Sequence, residues 1–116
     1  MGLRFSEICI DATDIRMLSA WWSQVLGWPA EDTDDGDVTL RAPGGVGPDW
    51  LFLAVPEGKA VKNRIHFDFT PDDQDAEGER VIGLGARRVD IGQGEQSWVV
   101  LADPEGNEFC ILAADG

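Results

Sequence analysis

Histidine occurs once in this chain, at position 66, tyrosine is missing, and cysteine occurs only twice. Two thiols, Cys9 and Cys110, are too few for a disulfide framework and stand in no metal-type spacing, so they read as reduced. Basic residues are scarce: nine Lys and Arg stand against 22 Asp and Glu, for a net charge of −13. Arg87-Arg88 is the only adjacent basic pair. A polyanion with no basic cluster repels nucleic acid and anionic membrane surfaces, which excludes both as partners. The acidity serves solubility, with a preference for cationic ligands as the sharper alternative. No apolar run approaches a membrane span. The opening MGLRFSEICID has no charged-then-apolar signal pattern, so a cytoplasmic location is expected.

What is present is a normal globular balance, 43% hydrophobic and 27% charged over 116 residues, enough for one domain with a real core. It also carries an internal repeat. Residues 5–28, FSEICIDATDIRMLSAWWSQVLGW, and 64–86, RIHFDFTPDDQDAEGERVIGLGA, follow one plan. Each starts as an alternating strand, passes Thr, Asp or Pro punctuation, runs about three helical turns and stops at Leu-Gly. Glu7 falls opposite His66, and Leu26-Gly27 opposite Leu84-Gly85. Shorter strand-like runs complete each half, so the chain reads as βαβββ written twice. Module 1 spans 1–56 and module 2 spans 63–116, with a short crossover loop between.

In the strand at 4–11, Ile8 and Ile10 oppose Glu7, Cys9 and Asp11; at 64–70, Ile65, Phe67 and Phe69 oppose Arg64, His66 and Asp68. The apolar sets, together with Phe109 and Ile111, are expected beneath the two helices. Ile15, Leu18, Trp22, Val25 and Leu26 form the stripe of a helix over 14–26, capped by Thr13 or Asp14 and ended by Gly27. A second helix is expected over 71–84, with Thr70 as cap and Pro71 in its first turn. Further strands fall at 29–33, 37–42, 50–55, 86–91, 96–102 and 107–113. Asp103-Pro104-Glu105-Gly106-Asn107 has the chemistry of a turn between antiparallel strands.

Three stretches, SAWWSQVLGWPAED, VKNRIHFDFTPDD and WVVLADPEGNEFCIL, resemble the glyoxalase-like subgroup of the vicinal oxygen chelate superfamily. That superfamily includes glyoxalase I, the fosfomycin and bleomycin resistance proteins and the extradiol dioxygenases. The resemblance implies an α+β fold in which two βαβββ modules form an open eight-stranded, cup-shaped barrel, here one domain over residues 1–116. It also implies a small-molecule ligand inside the cup and a homodimer. Catalytic members hold a divalent metal by residues from the first and last strands of each module. Carried over, those positions are Glu7, His66, Cys110 and, in the fourth strand, Leu53.

His66 therefore stands between three roles: metal ligand, proton shuttle, or a polar side chain closing a strand. One histidine cannot build a two-histidine, two-carboxylate cage, and leucine offers no lone pair. No cofactor is favoured; if a divalent metal (Zn, Ni, Mn or Fe) is held, Glu7, His66 and Cys110 are its ligands, and the thiolate biases the choice toward zinc. Glu7 and His66 are the catalytic candidates, Glu7 as a base if its pKa is raised, or else as the ion-pair partner of Arg64 or His66. A thiol beside His66 suggests a nucleophile, but no oxyanion-hole motif accompanies it. Cys9, Asp11, Trp28, Trp50, Leu53, Arg64, Asp68 and Cys110 are expected to line the cup, the tryptophans by stacking on a flat or cationic ligand. PGGVGPDW lacks the lysine and the helix of a phosphate loop. The favoured function is metal-free small-molecule binding. The alternatives are a metal-dependent lyase, isomerase or dioxygenase, and a dimeric regulatory module.

Overall fold

The computed structural model describes residues 2–45, 47–89 and 97–114. The chain divides into two compact units, Met1–Gly58 and Lys59–Gly116. In the first, β1 (Glu7–Ala12) leads into α1 (Ile15–Leu26), then β2 (Ala30–Asp32), β3 (Val38–Leu40) and β4 (Asp49–Ala54). In the second, β5 (Phe67–Phe69) leads into α2 (Gln74–Gly83), then β6 (Arg87–Arg88), β7 (Val99–Ala102) and β8 (Glu108–Ile111). The sheets have matching orders, β1-β4-β3-β2 and β5-β8-β7-β6. In each, the opening strand pairs parallel with the closing one, and the last three strands form an antiparallel meander. The doubled βαβββ order is thus realised in both halves. No helix among the described residues is long and apolar enough to cross a membrane.

In the first unit the polarity of each residue decides its face. Glu7, Cys9 and Asp11 are exposed, while Ile8 and Ile10 between them are half-buried. The parallel register places Ile8 beside Trp50 and Ile10 beside Phe52. Leu18 and Trp22, one turn apart on α1, are buried, and the Trp22 ring meets the Trp50 ring edge-on at 5.2 Å. Trp21, outside the expected stripe, is buried as well and packs on Trp22. The helix ends are held as their sequence requires. The Asp14 carboxylate accepts from the Met17 amide at 3.1 Å, and Gly27 closes the helix at φ 71°, a left-handed conformation costly for other residues.

The second unit departs from the sequence expectation in two places. β5 begins at Phe67, because its ladder with β8 starts at Phe67↔Phe109. Residues 64–66 lie before it, and Ile65, expected in the core, is 80% exposed. Phe109 and Ile111 are buried as expected, and Phe67 and Phe69 are half-buried. Helix α2 starts at Gln74, with Asp73 rather than Thr70 as its cap; Asp73 accepts from the Ala76 amide at 3.0 Å. A carboxylate cap followed by Asp75 and Glu77 in the first turn suits the helix dipole better than an earlier start. Gln74 anchors the helix by donating to the Ile111 carbonyl at 3.2 Å. Of the expected strands at 86–91 and 96–102, positions 90, 91 and 96 lie outside the described residues.

An ion pair whose carboxylate is buried ties the start of this unit to its last strand. Lys59 Nζ lies 2.8 Å from Glu108, whose carboxylate also accepts from the Asn63 amide at 3.2 Å. Burial pushes the Glu108 carboxyl up. Hydrogen bonds from Lys59 and from the Glu108 and Asn63 amides, with the Lys59 charge, outweigh that and leave it below the ordinary carboxylate value. A lowered folded-state pKa stabilises the fold above the unfolded-chain value, about 4.3, and that contribution fades as pH falls through the folded-state value. Acid should therefore destabilise the wild type more than Glu108→Gln. Melting midpoints measured from pH 6 down to 3 check this, and parallel curves for the two proteins would contradict it.

Candidate functional site

In the parallel β5–β8 pair, Asp68 is the register partner of Cys110, so both side chains stand on one face, opposite the one taken by Phe67, Phe69, Phe109 and Ile111. His66, two residues before Asp68, joins them. Its Nδ1 lies 3.3 Å from Asp68 Oδ1 and 4.0 Å from Cys110 Sγ. One ligand-type atom from each of the three residues lies within 4.8 Å of the others. His66 and Asp68 are exposed, and Cys110 is buried beneath them.

The electrostatics of the group centre on Asp68. Burial pushes the Cys110 thiol up to about 11, and the charge of Asp68 and a hydrogen bond to its carboxylate push the same way, against a small opposing pull from Lys62. At neutral pH Cys110 is therefore a thiol that donates to Asp68, and it lacks the thiolate character of a nucleophile. Asp68 sits between two potential donors, the His66 ring and the Cys110 thiol.

The other expected site residues distribute differently. Glu7, Cys9 and Asp11 stand on the exposed face of β1 in the first unit, and Leu53, the register partner of Asp11, shares that face. Arg64 is exposed in the segment before β5. Trp50, expected to line the cup, is 4% exposed, on the helix side of its sheet between Trp22 and Trp28. Its pairing with Ile8 puts it on the face that α1 covers, so it fills core. Trp28, half-buried, packs edge-on to Trp50 at 5.8 Å and borders the same cluster.

The four-ligand cage implied by resemblance does not fit these residues. The Leu53 position carries no donor, and Cys110, where a carboxylate is usual, is a buried protonated thiol. Hard cations such as Mn(II) favour oxygen donors and gain little from either. The group that does come together includes Asp68. The signal for it was present as His-x-Asp on an alternating strand, but the participation of Cys110 depends on strand pairing.

These two four-stranded sheets, each built as βαβββ, define an α+β protein of the glyoxalase/bleomycin resistance/dioxygenase fold. The Glyoxalase-like domain family matches residues 7–112, and the chain belongs to that family. No curated protein matches the chain at a significant level. Among solved structures, the fosfomycin resistance protein FosX from Mesorhizobium loti is similar with a TM-score of 0.73 at 16% identity, over 99% of this chain and 94% of that one. A glyoxalase/bleomycin resistance/dioxygenase family enzyme from Burkholderia phytofirmans PsJN gives 0.70 at 22% identity, over 91% and 94%. FosX from Listeria monocytogenes, solved with Mn(II) and sulfate, gives 0.73 at 16%, over 99% and 93%. At these identities the likeness is one of fold.

Proposed function

We propose that this protein binds a small molecule at the polar face of its second sheet, with His66 and Asp68 as the exposed polar contacts and Cys110 beneath them. The observation that carries this reading is the convergence of three chemically different groups within 4.8 Å, two from the paired strands β5 and β8 and one from the residue just before β5. A ligand donor or acceptor placed there meets an imidazole, a carboxylate and a thiol at once. Small-molecule sites are commonly built this way, from a few convergent polar groups. The fold is compatible with such use: FosX from Listeria monocytogenes has been solved with Mn(II) and 1S,2S-dihydroxypropylphosphonic acid. A second reading, a metal-dependent lyase or oxidoreductase, draws on the same three residues, since imidazole, carboxylate and sulfur are all metal donors.

The test is a thermal-shift screen of a diverse small-molecule library. Binding to the native state alone raises the melting midpoint. At least one compound should raise the wild-type midpoint, and the shift should be lost in His66→Ala and reduced in Asp68→Asn. Both side chains are exposed, so neither variant should disturb the fold. A compound whose shift survives both substitutions would place the ligand elsewhere and refute the proposal.

A further inference from the structure

We propose that Glu108 is a positioning residue for the ligand face: it pins the segment 59–66 to β8 and so holds His66 against Asp68 and Cys110. The inference rests on the reading of that face as the functional site, and it assigns a role to a buried acid outside the His66, Asp68, Cys110 group.

Three observations carry it. First, the segment has little of its own to hold it in place. Among the described residues, 59–66 lie in no helix or strand and take part in no backbone-to-backbone hydrogen bond. As whole residues, all of them but Asn63 are exposed. A chain stretch without such bonds needs an outside anchor to keep one path against the entropy of many. Second, Glu108 supplies that anchor. Its carboxylate lies 2.8 Å from Lys59 Nζ and accepts from the Asn63 amide at 3.2 Å, which fixes the segment at two points four residues apart. Glu108 is 8% exposed, and a carboxylate so buried is costly to leave without these partners. Third, the two fixed points lead directly to the site. Lys62 lies between them, close enough for its charge to act on the Cys110 thiol. His66 follows Asn63 by three residues. Glu108 itself stands two residues before Cys110 on β8, on the same face of the sheet.

The relative strengths decide which contact governs which. His66 meets Asp68 at 3.3 Å with both side chains well exposed, a kind of pair that contributes little by itself. The tethers to Glu108 end on a buried charge and are the stronger. The segment therefore places His66, rather than His66 the segment. An imidazole already in place spares the ligand the cost of ordering it on binding.

The test is made on the full chain without ligand. It reads amide hydrogen exchange at Asn63 and the ring proton–carbon NMR signals of the single histidine. In Glu108→Ala, exchange at Asn63 should accelerate about tenfold or more, the loss expected for a hydrogen bond to a charged group. The His66 ring signals should move toward their positions in the urea-unfolded chain. Glu108→Gln keeps an oxygen for the Asn63 amide but loses the charge opposite Lys59, so both readouts should fall between wild type and Glu108→Ala. Val81→Ala thins the core of the same unit and takes no part in these contacts, so it should leave the His66 signals as in the wild type. Unmoved His66 signals in Glu108→Ala, or the same movement in Val81→Ala, would each overturn the proposal. Should Glu108→Ala fail to fold, Lys59→Met decides it: the His66 signals should move in the same direction, and unchanged signals there would overturn the proposal. No ligand enters the measurement, so its failure leaves the small-molecule reading standing, and a compound screen without a hit leaves the Glu108 anchor standing.

Discussion

Phe52→Ala should lower the unfolding free energy by about 3–5 kcal/mol, the usual range for emptying a fully buried aromatic site. Phe52 is 0% exposed, in the strand that pairs on both sides, between Ile10 of β1 and Val38 of β3. Its neighbour on the same face, Trp50, is wedged against Trp22 of α1, so the surroundings cannot easily collapse into the space left behind. The loss is a large share of the roughly 5–15 kcal/mol by which domains of this size are stable. Phe67→Ala should cost less, because Phe67 is only half-buried at the start of its strand. Urea titrations of both variants give the comparison. A loss below about 1 kcal/mol for Phe52→Ala would contradict the packing described for the first unit.

Asp103→Ala should cost about 1–3 kcal/mol, because it leaves several half-buried donors without their charged acceptor. Asp103 is 1% exposed at the end of β7 and organises the turn into β8. Its Oδ1 accepts from the Glu105 and Asn107 amides, both at 2.9 Å, and both carboxylate oxygens accept from the Asn107 side-chain amide. The turn closes through the Gly106 amide to the Asp103 carbonyl at 2.8 Å, with Gly106 at φ 90°. Alanine removes the acceptor and leaves these half-buried donors without it. Asp103→Asn keeps one acceptor oxygen and should recover part of the loss. Hydrogen exchange at Glu105 and Asn107 reads the local effect: it should accelerate in Asp103→Ala more than at Phe52 in the first unit. Unchanged protection at both amides would show that the carboxylate does not hold the turn.

That turn was legible in the sequence because its chemistry is local: an acid first, a proline next and a glycine where φ is positive. The same holds for α1, whose cap, stripe and closing glycine sit within one short stretch, and for the doubled βαβββ plan, written as two similar halves. What failed depended on partners far along the chain. Ile65 continues the alternation of Phe67 and Phe69, yet the ladder starts at Phe67, and no periodicity within 64–70 marks that limit. Trp50 packs on the helix side of its sheet, which the sequence does not mark, because DWLFLA is apolar on both sides and a period of two carries no information there. The site was half legible. His66 and Asp68 fall on one face by simple alternation. Their company with Cys110 follows from the parallel pairing of β5 with β8, which no local pattern announces and which the family resemblance alone implied for His66.

The central claim is that the face carrying His66, Asp68 and Cys110 is where this protein meets its ligand. The chain has one histidine, so its imidazole carbon-bound proton resonances need no assignment beyond their chemical type. The most direct measurement is a proton–carbon NMR titration of those resonances with a compound that raises the melting midpoint. The account predicts that the His66 ring signals shift or broaden in step with saturation, at the dissociation constant found by thermal shift. A saturating ligand that leaves them unmoved would contradict it.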